Sequence, residues 1–284
     1  MSAKDSIRKV EERWLMYIIP FVKETFKDIW LPSHDHTHAI RTWNFAKELI
    51  ILLNKNNFHI DKLAIEKVLF AAFFHDAGMS KSIEIQHGKI SREICEDFFK
   101  TKPKLKPGGI NEILEAIEYH DDKSYRNEVF AKTPNKFDTL SILSIADDLD
   151  SFGFFGVFRF WEINVLRDYP IENIPQKVLT SLKSRINHLN STSSFCPKFL
   201  DHQEARYQIT RNFFLDLEEN YQLSKNSNIN LLAQDIVELF NEIIIQGKNS
   251  PDKILPLIQT ASLDSEVHRF FKNLIKDYNH QNSQ

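Results

Sequence analysis

With 284 residues, 42% of them hydrophobic and 26% charged, the chain has the composition of an ordinary globular protein. It is long enough for one large helical domain or a core domain with an addition. A net charge of -3 excludes a general attraction to nucleic acid or anionic membrane. Seven glycines and 23 phenylalanines point to few tight turns and extensive packing between helices. Cys95 and Cys196 form no CxxC pair, which excludes a disulfide scaffold and a thiolate zinc site and fits a reducing compartment. Neither has an evident neighbouring base, so both read as inert. The start is polar (Ser2-Ala3-Lys4-Asp5) and no run approaches the ~20 apolar residues of a membrane helix, so the expected location is the cytoplasm.

Residues 4–29 carry apolar side chains at helical spacing (Val10, Trp14, Tyr17, Ile18, Phe21, Val22), with a bend or break expected near Pro20. Pro32 and Ser33 open a second helix, Asp35 to Asn54, striped by Ile40, Trp43, Ala46, Leu49, Ile50 and Leu53. Asp61 is the expected N-cap of a third helix. That helix runs through Phe70-Ala71-Ala72-Phe73-Phe74 into His75-Asp76 and is stopped by Gly78. A fourth helix is expected from Gly88 to Lys100, a loop from Lys102 to Gly109 and a fifth helix from Ile110 to His120.

Asp121 to Lys136 is a polar excursion, after which Leu140 to Leu149 reads as an apolar helix ending in acidic residues. Phe152-Gly153-Phe154-Phe155-Gly156 turns into a helix from Val157 to Arg167, and further helices are expected over Ile174–Asn187 and Phe199–Tyr221. The asparagine-rich stretch Ser224 to Asn230 reads as a boundary between a main domain, 1–223, and a C-terminal helical extension, 224–284. The extension holds helical patterns at Leu231–Ile245, Pro251–Ala261 and Ser265–Tyr278, and no period-2 strand pattern of any length occurs. The fold class is all-α.

An imidazole and a carboxylate at the end of so apolar a helix are costly to bury unless something pairs with both, and a divalent cation does. Further donors stand in Ser33-His34-Asp35-His36-Thr37-His38, in Tyr119-His120-Asp121-Asp122 and in Ala146-Asp147-Asp148-Leu149-Asp150. A mixed imidazole and carboxylate set without thiolate suits Mn, Fe, Zn, Ni or Co, and Mg less well. The long gaps are unlike a zinc finger. They are expected when each donor sits on its own helix and the metal lies in the core of the bundle.

His38, the doublet His75-Asp76 and the distant Asp147 together resemble the signature of the HD-domain metal-dependent phosphohydrolases. His34-Asp35-x-x-His38-x-x-Arg41 is similar to the opening motif of a bacterial subgroup of small HD phosphohydrolases. Ala146-Asp147-Asp148-Leu149-Asp150-x-x-Gly153-x-x-Gly156-x-x-Arg159 is similar to that subgroup's fourth motif and the turn after it. The helix Ala205 to Tyr221 resembles its closing helix, so the likeness spans roughly residues 30 to 222. The resemblance implies an all-α HD bundle with His38, His75, Asp76 and Asp147 as metal ligands. It implies a divalent metal, manganese first, with Mg, Fe, Co, Ni or Zn as alternatives. The implied reaction is hydrolysis of a phosphate ester or anhydride, in a nucleotide or other small phosphorylated compound, by metal-activated water.

Around that quartet Asp76 and three other residues are catalytic candidates. His120 is placed to orient substrate or to protonate a leaving group. His87, in His87-Gly88-x-x-Ser91, is placed to touch phosphate or to ligate a second metal. Arg41 lies one turn beyond His38, on the same helical face, where it would hold a ligand carboxylate or clamp phosphate. Lys81, Arg126 and Arg159 are looser candidates for that electrostatic task, and Asp148 and Asp150 for fixing a ligand histidine's tautomer. His34, His36, His59, His188, His202, His268 and His280 read as surface residues. Phe152, Phe154, Phe155, Phe158 and Phe160 read as core, the alternative being the wall of a nucleobase pocket.

Within the resembled family, hydrolases of the guanosine alarmone carry a Glu-Asp pair where this chain reads Gly78-Met79-Ser80-Lys81-Ser82. The cyclic-dinucleotide phosphodiesterases carry a Gly-Tyr-Pro signature, whose nearest echo here is Asp168-Tyr169-Pro170. Both activities are therefore disfavoured. The expected partner is a small phosphorylated substrate, a nucleotide first, with no membrane and with self-association left open. Two other readings stand beside the enzyme: a non-catalytic HD-fold binding or regulatory module, and a nuclease, which the acidic balance weakens.

Overall fold

The computed structural model describes residues 2–84, 87–101, 106–120, 122, 137–223, 231–259 and 264–282. Every regular element among the described residues is helical, so the fold is all-α. No helix among the described residues is long and apolar enough to cross a membrane. The chain divides into two compact units, Met1–Leu149 and Asp150–Gln284. The polar excursion from Asp121 to Lys136, and Arg126 with it, lies outside the described residues except for Asp122, as does the expected boundary Ser224 to Asn230.

The first unit holds α1 (Ala3–Thr25), α2 (His36–Lys55), α3 (Lys62–Phe74), α4 (Gly88–Thr101), α5 (Ile110–Tyr119) and most of α6 (Thr139–Asp150). Helix α3 is its centre. It touches α1, α2, α4 and α5 and is buried on every side from Val68 to Phe74, as a helix apolar all round must be. Asp61 caps it as expected, its carboxylate accepting from Ala64 N at 2.8 Å. Phe70 packs against Trp14, Phe98 and Phe99 at ring separations of 4.9, 6.1 and 5.3 Å.

Two indole hydrogen bonds seat α1 on its neighbours. Trp14 of α1 donates to Glu66 of α3, and Trp43 of α2 donates to Glu11 of α1 at 2.8 Å. The helix does not break at Pro20, the stronger of the two expectations there: α1 runs through it without interruption. The proline is exposed, while Ile7, Val10, Trp14, Ile18 and Val22 bury a continuous stripe that outweighs one lost ladder bond. Helix α6 starts at the Asp138 carboxylate, which accepts from Ser141 N at 2.8 Å.

The second unit holds α7 (Phe154–Leu166), α8 (Ile174–Thr192), α9 (Pro197–Leu223), α10 (Leu232–Leu239), α11 (Ile254–Gln259) and α12 (Ser265–Asn282). A π-helical segment, Phe240–Gln246, continues α10. Phe152, Phe155 and Phe158 are fully buried and Phe160 is buried, as the core reading of the stripe expects, while Phe154 is half-buried. The extension shares that core: Phe158 meets Phe240 at 5.0 Å and Phe154 meets Phe270 at 5.4 Å. Asp277 of α12 accepts from Phe155 N at 3.1 Å, at the first turn of α7. His188, expected on the surface, is buried, with Leu182, Ile186, Leu189 and Thr192 of the same helix.

Cys95 is fully buried in α4, and burial pushes its thiol well above the usual range. Cys196 is half-buried. Alkylation of the native protein, followed by mass spectrometry, is expected to modify Cys196 and to spare Cys95. Labelling of Cys95 at a comparable rate would show that α4 opens readily.

Candidate metal centre

Helix ends build this site. The last carbonyls of a helix have no partner within it, and two imidazoles use them. His75 follows the last residue of α3 and places its Nδ1 3.0 Å from Ala72 O. His120 follows the last residue of α5 and places its Nδ1 2.6 Å from Ile117 O. His87, just ahead of α4, repeats the pattern with Nδ1 3.2 Å from Glu84 O. A carbonyl oxygen only accepts, so each Nδ1 is the donor in its pair and each ring turns its Nε2 inward. Burial first, and then His38 and His120 nearby, push the His75 pKa down to about 4, so this imidazole is neutral at ordinary pH.

Those nitrogens converge on Asp76. On one side His38 Nε2 lies 3.0 Å from His75 Nε2, 3.2 Å from Asp76 Oδ2 and 3.4 Å from Asp147 Oδ1. His75 Nε2 lies 3.7 Å from Asp76 Oδ2 and 3.9 Å from Asp147 Oδ1. On the other side the second carboxylate oxygen, Asp76 Oδ1, lies 2.8 Å from His87 Nε2 and 3.0 Å from His120 Nε2. Although burial pushes it up, the Asp76 carboxyl stays well below its usual range, because His75 and the rings of His120, His38 and His87 against it outweigh desolvation.

These separations fit a cation. Metal bonds of ~2.1 Å to nitrogen and oxygen place neighbouring ligands ~3.0 Å apart around an octahedron and ~3.4 Å apart around a tetrahedron. In the first group, His38 lies 3.0–3.4 Å from His75, Asp76 and Asp147, within that range, and His75 lies farther from the two carboxylates, at 3.7 and 3.9 Å. The second, Asp76, His87 and His120, gathers three donors within 4.8 Å of one another. The close approach of these ring nitrogens to one another and to two carboxylates is a place where added positive charge is favoured, and a metal ion supplies it. The donor set of imidazole and carboxylate suits a divalent transition metal in either group.

Several predicted residues take more specific places. Arg41 is fully buried; its guanidinium donates to Ser33 O at 2.8 Å and to Thr37 Oγ1 at 2.9 Å. It thereby ties the loop ahead of α2 to the turn that carries His38. Arg159 meets Asp150 at 3.0 Å in a buried ion pair in the second unit, and Lys81 is exposed. His34, expected on the surface, is buried with its ring 5.9 Å from that of His38 and its Nδ1 2.8 Å from Ser33 Oγ.

The sequence reading passed over three supporting groups. Thr42 Oγ1 lies 3.4 Å from His38 Nδ1, and its spacing of four residues along α2 could have marked it. Ser91 Oγ accepts from Gly78 N at 2.8 Å. The carbonyls that lock the imidazoles stand three residues before His75, His87 and His120, a spacing visible only once the helix ends are known.

Residues 36–151 match the family model for the HD domain. No curated protein and no solved structure matches the chain.

Proposed function

We propose, from the match of residues 36–151 to the HD-domain family model, that the protein is a metal-dependent phosphohydrolase of that superfamily and hydrolyses a phosphate ester or anhydride of a nucleotide or other small phosphorylated compound. The observation that carries this reading is the convergence of backbone-locked imidazole nitrogens on the two oxygens of Asp76. Under it His38, His75, Asp76 and Asp147 hold one divalent ion, manganese by first choice, while Asp76, His87 and His120 hold a second. When bound, such ions lower the pKa of water and offset charge on a phosphoryl oxygen.

The protein's own part is positional. Asp76 spans both donor groups with one oxygen each, which sets their spacing. The backbone carbonyls behind His75, His87 and His120 keep the nitrogens aimed without rearrangement. Arg41 acts from behind, through Ser33 and Thr37, on the first turn of α2.

The test is an assay of manganese-loaded protein against nucleoside mono-, di- and triphosphates, guanosine alarmones, cyclic dinucleotides and generic phosphate esters, resolving orthophosphate from pyrophosphate. Turnover that chelator abolishes and manganese restores is expected on nucleotides or small esters. Stoichiometric metal without turnover on any of them would identify a non-catalytic HD module instead.

A further inference from the structure

Two glycines flank the Asp76–His87–His120 group, and neither owes its identity to backbone conformation. The glycines with positive φ are Gly109 and Gly153; Gly78 and Gly88 are not among them. Both are needed for space. A Cβ on Gly78 would lie 2.3 Å from His87 O and 2.8 Å from Ser91 N. A Cβ on Gly88 would lie 2.4 Å from Glu118 O and 3.1 Å from Ile117 O. Real Cβ contacts do not fall below 3.0 Å, and every one of these neighbours is backbone, so relief requires whole segments to move.

The segments that would move are those that carry the ligands. Gly78 lies two residues after Asp76, and its absent side chain lets that turn rest on the His87 carbonyl. Gly88 directly follows His87, and its absent side chain lets α4 rest on the end of α5, where Ile117 O fixes the His120 ring. An Arg92–Glu118 ion pair draws the same two helices together.

We propose that Gly78 and Gly88 are positioning residues for the second ion: their missing side chains set the approach of His87 and His120 to Asp76. The nearest neighbours of Gly88 are Glu118 and Ile117, not His38, His75, Asp76 or Asp147, so its replacement spares the first ion's side of the centre. This rests on the two-ion reading above, and the experiment separates the two.

Manganese is titrated into metal-free protein, and bound equivalents are counted for the wild type, His87→Ala, Gly88→Ala and Gly108→Ala. At Gly108 an added Cβ meets only the mobile end of Leu63, at 2.7 Å, so this variant controls for glycine replacement as such. The expected counts are two, one, one and two, with Gly88→Ala keeping the wild-type circular dichroism and first-ion affinity within about threefold.

A wild type that binds one equivalent overturns the two-ion reading and this proposal with it. Two equivalents at wild-type affinity in Gly88→Ala, with His87→Ala reduced to one, overturns the role of the glycines alone. Should Gly88→Ala fail to fold, Arg92→Ala decides, since it loosens the same helix pair without adding an atom. The second ion is then expected to bind at least threefold more weakly, and unchanged affinity rejects the proposal.

Discussion

Asp76→Ala is expected to strip both ions from the protein and to lower turnover by ~1000-fold or more, a loss of at least ~4 kcal/mol of transition-state stabilisation. The size follows from geometry. Oδ2 faces His38 and Oδ1 faces His87 and His120, so one substitution removes a donor from each group. Of the four imidazoles that remain, His38 and His75 still face a carboxylate, that of Asp147. Helical content should survive, because the Asp76 side chain caps no helix. Asp147→Ala is the contrast: it removes a donor from the first group alone and should leave one equivalent. Metal analysis with circular dichroism checks both, and an Asp76→Ala protein that keeps its metal or its turnover rejects the ligand assignment.

Phe70→Ala is expected to cost ~3–5 kcal/mol of stability, the range for emptying a phenylalanine site in a packed core. Phe70 is fully buried and makes ring contacts with Trp14, Phe74, Phe98 and Phe99, side chains from three different helices. The neighbours are large and mutually braced, so the cavity has little room to collapse. At 2–4 °C per kcal/mol for a unit of this size, Tm should fall by roughly 10 °C. Leu63→Ala, on the same helix but 45% exposed, should stay within about 0.5 kcal/mol. Urea titration of the metal-free proteins measures both, and a Phe70→Ala loss below ~1 kcal/mol would mean that α3 is not the centre of the unit.

The helices were legible because each is a one-dimensional signal, whereas His38, His75, Asp76 and Asp147 were singled out through their resemblance to a family signature, and the structure brings the four side by side. Apolar spacing marked α2, α3 and α5, Asp61 marked a start, and a histidine with a carboxylate at the end of an all-apolar helix signalled a partner. What escaped is which backbones touch. Gly78 and Gly88 looked like punctuation, because sequence shows a missing Cβ but not the carbonyl that occupies its place. His34 and His188 looked exposed, since polarity alone says nothing about the neighbours that cover a ring. Pro20 looked like a break, because its local cost is visible while the buried stripe that outweighs it is tertiary. The division of Asp76 between two donor groups could not be read at all: it depends on α4 and α5 lying side by side.

The seating of α1 makes the matched stretch smaller than the piece that can stand alone. A fragment beginning at residue 36 would leave the Trp43 indole without Glu11 and the Glu66 carboxylate without Trp14, both on a face newly open to water. Phe70 and Phe74 would lose the rings of Trp14 and Phe21 at the same stroke. The helix that carries His75 and Asp76 is thus propped by a segment outside the His–Asp cluster, and shortening the chain at its front is expected to loosen that cluster without removing any of its members.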